Sequence, residues 1–220
     1  ITTDARATAD EMMLSIRGLL QGAPAVSGIA LCSTVPSVLR EMRLMLERYW
    51  SDVPRVIVEP GVKTGVPILT DNPKEVGTDR IVNTLAAHSL FGGPSIVVDF
   101  GTSTNLDVVS AKGEFLGGAL APGIEISLDA LAQRAAQLRK VEIVRPRSVI
   151  GKNTVEALQA GALYGFAGQV DGLVDRIIDE LGPVTAVIAT GGLAPIVVPD
   201  SRTITHHVPD LTLVGHVVGD

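Results

Sequence analysis

The chain has 220 residues, 46% of them apolar but only 3% aromatic, and a formal net charge of −6. That is enough for one large domain or two small ones whose core is packed from Val, Ile, Leu and Ala. The acidic balance argues against a nucleic-acid partner, which needs clustered Lys and Arg, and the single cysteine, Cys32, excludes an internal disulfide and suits a reducing cytosol.

In chain order, Thr8-Ala9-Asp10-Glu11 reads as a capping box, with Met12, Ile16, Leu19 and Leu20 on one face of a helix ending near Gln21-Gly22. "GIALCST" (28–34) predicts a buried strand, "PSVLREMRLMLERYW" (36–50) an amphipathic helix, and "PRVIVEP" (54–60) another strand. This alternation is the pattern of a mostly parallel sheet. A loop rich in Gly and Pro follows, through Gly61, Gly65, Pro67 and "DNPKEVGTDR" (71–80), then a helix from about Asp79 to His88. Gly92-Gly93-Pro94 reads as a domain junction. Strands "SIVVDF" (95–100), "TNLDVVS" (104–110) and "FLGGAL" (115–120) then form an antiparallel meander. Helices over roughly 124–141 and 154–181, strand "TAVIAT" (185–190), a Gly-Gly turn and short terminal strands complete the plan.

The longest uncharged stretch, Leu181 to Pro199, is broken by Gly182, Pro183, Gly191, Gly192 and Pro195, so it reads as strand, turn and strand rather than a membrane helix. No signal-peptide pattern opens the sequence, and a cytoplasmic protein without a membrane partner is expected. The abrupt start before a helix, and an end in "TLVGHVVGD" with no closing helix, are expected of a fragment.

Asp99-Phe100-Gly101 is the magnesium-binding tripeptide of protein kinases, but the glycine loop, the V-A-I-K lysine, H-R-D and A-P-E are all absent. A P-loop fails as well, because Lys152 is followed by Asn153 instead of Ser or Thr. The segment reads instead as a tight hairpin after a hydrophobic strand. Gly101 permits close backbone approach, Thr102, Ser103 and Thr104 can surround a phosphate, and Asp99 stands where a cation would be held. A solvent hairpin in which Asp99 only caps the turn fits the segment equally well. In "DNPKEVGTDRIVN", Gly77, Asp79 and Arg80 stand at a loop-to-helix transition. An acid beside an arginine suits a substrate with a hydroxyl to activate and an anionic group to anchor; the plain alternative is a helix cap and a surface charge. His206-His207 has no Cys, His or Asp partner at ligand spacing and adjacent strand residues face opposite ways, so both are expected to be structural or surface residues. Cys32 is expected to be a small core residue.

"DNPKEVGTDRIVN", "VVDFGTST", "GEFLGGALAPG", "RPRSVIGKNTVEALQAGALYG" and "IATGGLAP", in this order and spacing, resemble the type III pantothenate kinases over nearly the whole chain. The resemblance implies an α/β, two-domain actin-like ATPase (ribonuclease H-like) fold, with a partial N-terminal domain at 1–92 and a C-terminal domain at 93–220. It implies ATP-dependent phosphorylation of pantothenate to 4'-phosphopantothenate, the first step of coenzyme A biosynthesis. Asp79 would be the proton acceptor, and Gly77, Thr78, Asp79 and Arg80 would form the pantothenate site with Thr154, whose simpler role is a helix N-cap. Asp99 would hold potassium or ammonium, Gly101 and Thr102 would meet ATP phosphate, and Gly191 and Gly192 would lie near adenosine, with Mg2+ accompanying the nucleotide. A homodimer is implied, to which the small helix face Ala157, Ala160, Gly161, Gly165 and Gly168 would contribute, unless that face packs within the chain. The sequence departs from the family in lacking the opening D-x-G-N-T phosphate loop, in Thr70 where an aromatic is common, and in Thr78 where alanine is common. These 220 residues alone are therefore expected not to turn over. The alternative is a non-catalytic regulatory or interaction homologue.

Overall fold

The computed structural model describes residues 4–59, 62–135 and 141–218. They form two compact units, Ile1–Thr64 with Lys74–Val82, and Gly65–Pro73 with Asn83–Asp220.

The first unit opens with α1 (Ala9–Leu19), started by a complete capping box in which Thr8 and Glu11 satisfy each other's backbone N–H groups. Strands β1 (Ile29–Cys32) and β2 (Arg55–Val58) flank α2 (Pro36–Tyr49) and pair in parallel from Ile29 opposite Arg55 to Cys32 opposite Val58. Ala9, Met45 and Leu46 form the small core, with Met12, Met13, Ile16, Ile29, Leu31 and Trp50 packed against them. Two expectations change here. β1 is at most half-buried, because the described sheet has two strands and Ala30 faces away from this core. Leu19 is 70% exposed; Met13 takes its place against α2. Pro60 and Gly61 lie outside the described residues.

Helix α3 (Thr78–Phe91) supplies Thr78–Val82 to the first unit and Asn83–Phe91 to the second. Gly92-Gly93-Pro94 lies inside the second unit. There β3 (Ser95–Phe100), β4 (Ser103–Val109) and β5 (Phe115–Pro122) form the expected meander. After α4 (Ile124–Arg134) and α5 (Thr154–Leu181), strand β6 (Ala186–Thr190) enters beside β3 in parallel, giving the order β5-β4-β3-β6-β7 with β7 at His206–His207. Alternation along the strands sorts the core onto two faces. Ile96, Val98, Phe100 and Leu106 pack with Ala162, Ala167, Val170 and Val174 of α5, whereas Val97, Val109 and Ile188 pack with Ala86 and Ala87 of α3.

After β6 the chain forms a short helix, α6 (Ala194–Val197), and a 3-10 turn, where a second strand was expected. Pro195 starts that helix at a position where proline's missing N–H costs nothing. The end also differs: α7 (Leu211–Val218) closes the described chain, with Leu211 buried on the α3 face. The Gly-rich "TLVGHVVGD" suggested no helix, but packing of one apolar face outweighs weak propensity. Residues 136–140, at the expected end of α4, and 219–220 lie outside the described residues. Among the described residues no helix is long and apolar enough to cross a membrane.

Candidate active site

Asp99 stands at the carboxyl end of β3, opposite Asn105 on β4 and Thr190 on β6. β3 and β6 are parallel, and the carboxyl ends of parallel strands are where α/β sheets open toward ligands. The buried Phe100 ring anchors the strand end below the turn. Gly101 N–H donates to Ser103 O at 3.0 Å, and Gly123 N–H donates to Thr102 O at 3.0 Å, so the hairpin is pinned to the head of α4. Asp99 Oδ2 accepts from Asn83 Nδ2 at 3.4 Å, and Asn83 Oδ1 accepts from the Thr212 hydroxyl at 2.7 Å.

Gly191 follows β6 with φ +91°, and a Cβ added there would lie 2.6 Å from both Asp99 Oδ1 and Phe100 O. Conformation and space both demand glycine. The result brings a carboxylate and a backbone carbonyl together beside a bare backbone, a donor set of the oxygen type that hard cations take. Gly192 is exposed, with open space where its side chain would be.

The expected ring of three hydroxyls is reduced to one. Thr102 is exposed at the hairpin tip, but Ser103 Oγ donates to Asn105 Oδ1 at 3.0 Å and Thr104 is fully buried. β4 already begins at Ser103, so successive side chains alternate between faces instead of converging on one ligand.

In the first unit, Gly77 O accepts from Arg80 N–H and Ile81 N–H at 3.1 and 3.3 Å, opening α3. Asp79 therefore sits in the first helical turn instead of at the cap, half-buried, with Oδ1 accepting from Arg80 N–H at 2.9 Å. A carboxylate is favourable at that end of the helix dipole. A Cβ on Gly77 would lie 2.6 Å from Asp79 Oδ1, so the loop closes tightly on the acid. Thr78 is buried and its hydroxyl has no hydrogen-bond partner among the described residues. Cys32 is half-buried, and burial, then the charge of Asp79, pushes its thiol up to about 11. Such a thiol is a poor nucleophile.

Thr154 is the first residue of α5 and exposed; the N-cap role considered for it belongs to Asn153, whose side chain accepts from Glu156 N–H at 2.9 Å. The Glu156 carboxylate in turn accepts from Lys152 N–H at 3.1 Å and pairs with Arg147, and these contacts hold it below the usual carboxylate range. On α5, Gly161, Gly165 and Gly168 are exposed with open space at each Cβ position, whereas Ala160 is buried and faces the core. His206 and His207 are exposed, the former with its ring 4.5 Å from that of Phe91 and tilted 45° to it. Asn83 and Thr212 escaped the sequence reading. The available signal was Asn83 itself, an amide one helical turn after Asp79 in a run that is apolar but for Asn83 and Thr84.

A family model described as type III pantothenate kinase matches residues 1–176. The chain belongs to the type III pantothenate kinase family. It is 72% identical to the type III pantothenate kinase of Saccharopolyspora erythraea over 97% of this chain and 82% of that protein. The type III pantothenate kinase of Salinispora arenicola is 69% identical over 98% of this chain and 86% of its own length. Among solved structures, a conserved putative Baf family transcriptional activator from Campylobacter jejuni aligns with TM-score 0.55 and 18% identity, covering 91% of this chain and 84% of that one. The ethanolamine utilization protein EutJ from Carboxydothermus hydrogenoformans aligns with TM-score 0.53 and 14% identity, over 100% and 78%. At these identities the likeness is one of fold, an α/β architecture built on a mixed sheet.

Proposed function

We propose that the full-length protein transfers the γ-phosphoryl group of ATP to the primary hydroxyl of pantothenate, forming 4'-phosphopantothenate in the first step of coenzyme A biosynthesis. The observation that carries the reading is 72% identity to a type III pantothenate kinase across 97% of the chain, with Asp79 and Arg80 at the head of α3. An alcohol is a weak nucleophile. Asp79 takes its proton as the oxygen–phosphorus bond forms and the bond to the ADP oxygen breaks. Arg80 anchors the carboxylate of pantothenate, the buried Thr78 hydroxyl offers an unused hydrogen bond, and Gly77 keeps the loop tight against Asp79. Thr154 is a second substrate contact at the head of α5.

On the sheet, Gly101 and Thr102 approach the ATP phosphates, and Gly191 and Gly192 approach the adenosine. Asp99 with the Phe100 carbonyl would hold potassium or ammonium, and the oxygen pair beside Gly191 fits such an ion. A cation there, and the Mg2+ that accompanies ATP, would supply charge neutralisation to the transferring phosphoryl group. The reading extends to actin-like domains at 1–92 and 93–220 and to a cytoplasmic homodimer. Open space beside Gly161, Gly165 and Gly168 on α5 supports close helix approach in that dimer. The test is a coupled ADP-release assay on the full-length protein with pantothenate, with and without potassium. Pantothenate-dependent release that requires potassium is expected; folded protein giving none sinks the proposal.

A further inference from the structure

We propose that Thr212 and Asn83 form a hydrogen-bonded relay that positions the Asp99 carboxylate for its cation, so that cation affinity depends on the docking of α7. The inference rests on the cation role proposed for Asp99. Asn83 is completely buried, where an amide must place both its oxygen and its nitrogen. Its oxygen takes the Thr212 hydroxyl at 2.7 Å, which turns its NH2 toward Asp99 Oδ2 at 3.4 Å. The opposite orientation would set the amide oxygen against a carboxylate and is repulsive. Asp99 Oδ1, the other carboxylate oxygen, is the one beside Gly191 and the Phe100 carbonyl. The relay thus meets one oxygen, while its twin lies beside the Phe100 carbonyl in the proposed cation donor set.

The segment leading into α7 is itself tied to the end of β6. Val208 N–H donates to Ala189 O at 2.9 Å, and the buried Thr190 hydroxyl donates to Pro209 O at 3.3 Å. Leu211 is fully buried beside Thr212. These three anchors fix where the Thr212 hydroxyl stands, and Asn83 passes that position to Asp99. Thr212 is a positioning residue, acting only through Asn83. Outer-shell partners of this kind typically change metal affinity by about 10–100-fold when removed.

The test compares wild type with T212V, T212A and T212S in the full-length protein. Two quantities are read: the half-activating potassium concentration, and the rise in Tm on replacing choline chloride by potassium chloride at equal ionic strength. T212V, or T212A if the valine does not fold, is expected to raise the half-activating concentration about tenfold and to abolish most of the potassium-specific Tm rise. The KM for pantothenate should stay within about twofold, and T212S should restore both potassium readouts. A folded T212V or T212A with wild-type potassium responses overturns the relay while leaving the cation reading intact. A wild-type protein with no potassium-specific response overturns the cation reading and the relay with it.

Discussion

Two glycines pressed against two carboxylates invite comparison. Gly77 and Gly191 each leave room for an aspartate oxygen that an added Cβ would approach to 2.6 Å. At Gly77 the three nearest atoms all belong to side chains, two of Asp79 and the more distant Thr34 methyl, and both side chains can shift. At Gly191 the same Cβ also meets the Phe100 carbonyl oxygen and carbon, in a backbone with φ +91° that strains any other residue. One acid sits on the first turn of a helix, where it can adjust; the other is locked between two strand ends. The contrast suits the roles proposed for them, a proton acceptor that must follow a moving hydroxyl and a cation ligand that must not move.

The comparison can be broken most sharply at Asp79. Asp79→Asn should lower kcat by about 10²–10⁴-fold with the potassium response retained, read by steady-state kinetics. Near-normal turnover would remove Asp79 from the role of base. Gly191→Ala should cost about 10²-fold in potassium-dependent rate and lower Tm, because the rigid backbone around Asp99 cannot yield. Gly77→Ala should cost about tenfold or less with Tm unchanged, because the Asp79 side chain can yield. Equal effects of the two alanines would end the distinction between an adaptable and a locked acid.

The smallest effect is expected at an acid outside both regions. Asp171 on α5 accepts from Ser201 Oγ at 2.6 Å, Thr203 Oγ1 at 2.7 Å and the N–H groups of Arg202 and Thr203 at 3.1 and 3.2 Å. Burial pushes its carboxyl upward, but the hydrogen bonds outweigh that and hold it below the ordinary aspartate value. Its contribution is whole above about pH 4 and is lost as the pH falls through the lower folded value. Asp171→Asn should cost about 1 kcal/mol in denaturant unfolding at neutral pH. The gap from wild type should narrow toward pH 3, and a pH-independent gap would show that the charge is not what holds the segment.

Much of the fold was legible as pattern. The capping box at Thr8 and Glu11, the 28-residue α5 and the β3–β4–β5 meander follow from local periodicity, caps and turn residues. Asp79, Arg80 and Asp99 were legible because charged residues stand out where apolar runs end. What local pattern misjudged were the places where distant segments decide: α7, whose weak helix former folds because Leu211 is buried against α3, and the hairpin hydroxyls, turned apart by the start of β4.

By itself, then, the sequence determined most kinds of element, the acids proposed to carry the chemistry and the family, since these depend on residue identity and spacing within a short stretch. Only the tertiary structure decided that Gly191 stands against Asp99, 92 positions earlier, and that Thr212 reaches Asn83 across 129 residues. Contacts over such separations leave no periodicity in the chain. They exist because pairing of β3 with β6 and burial of Leu211 bring the segments together.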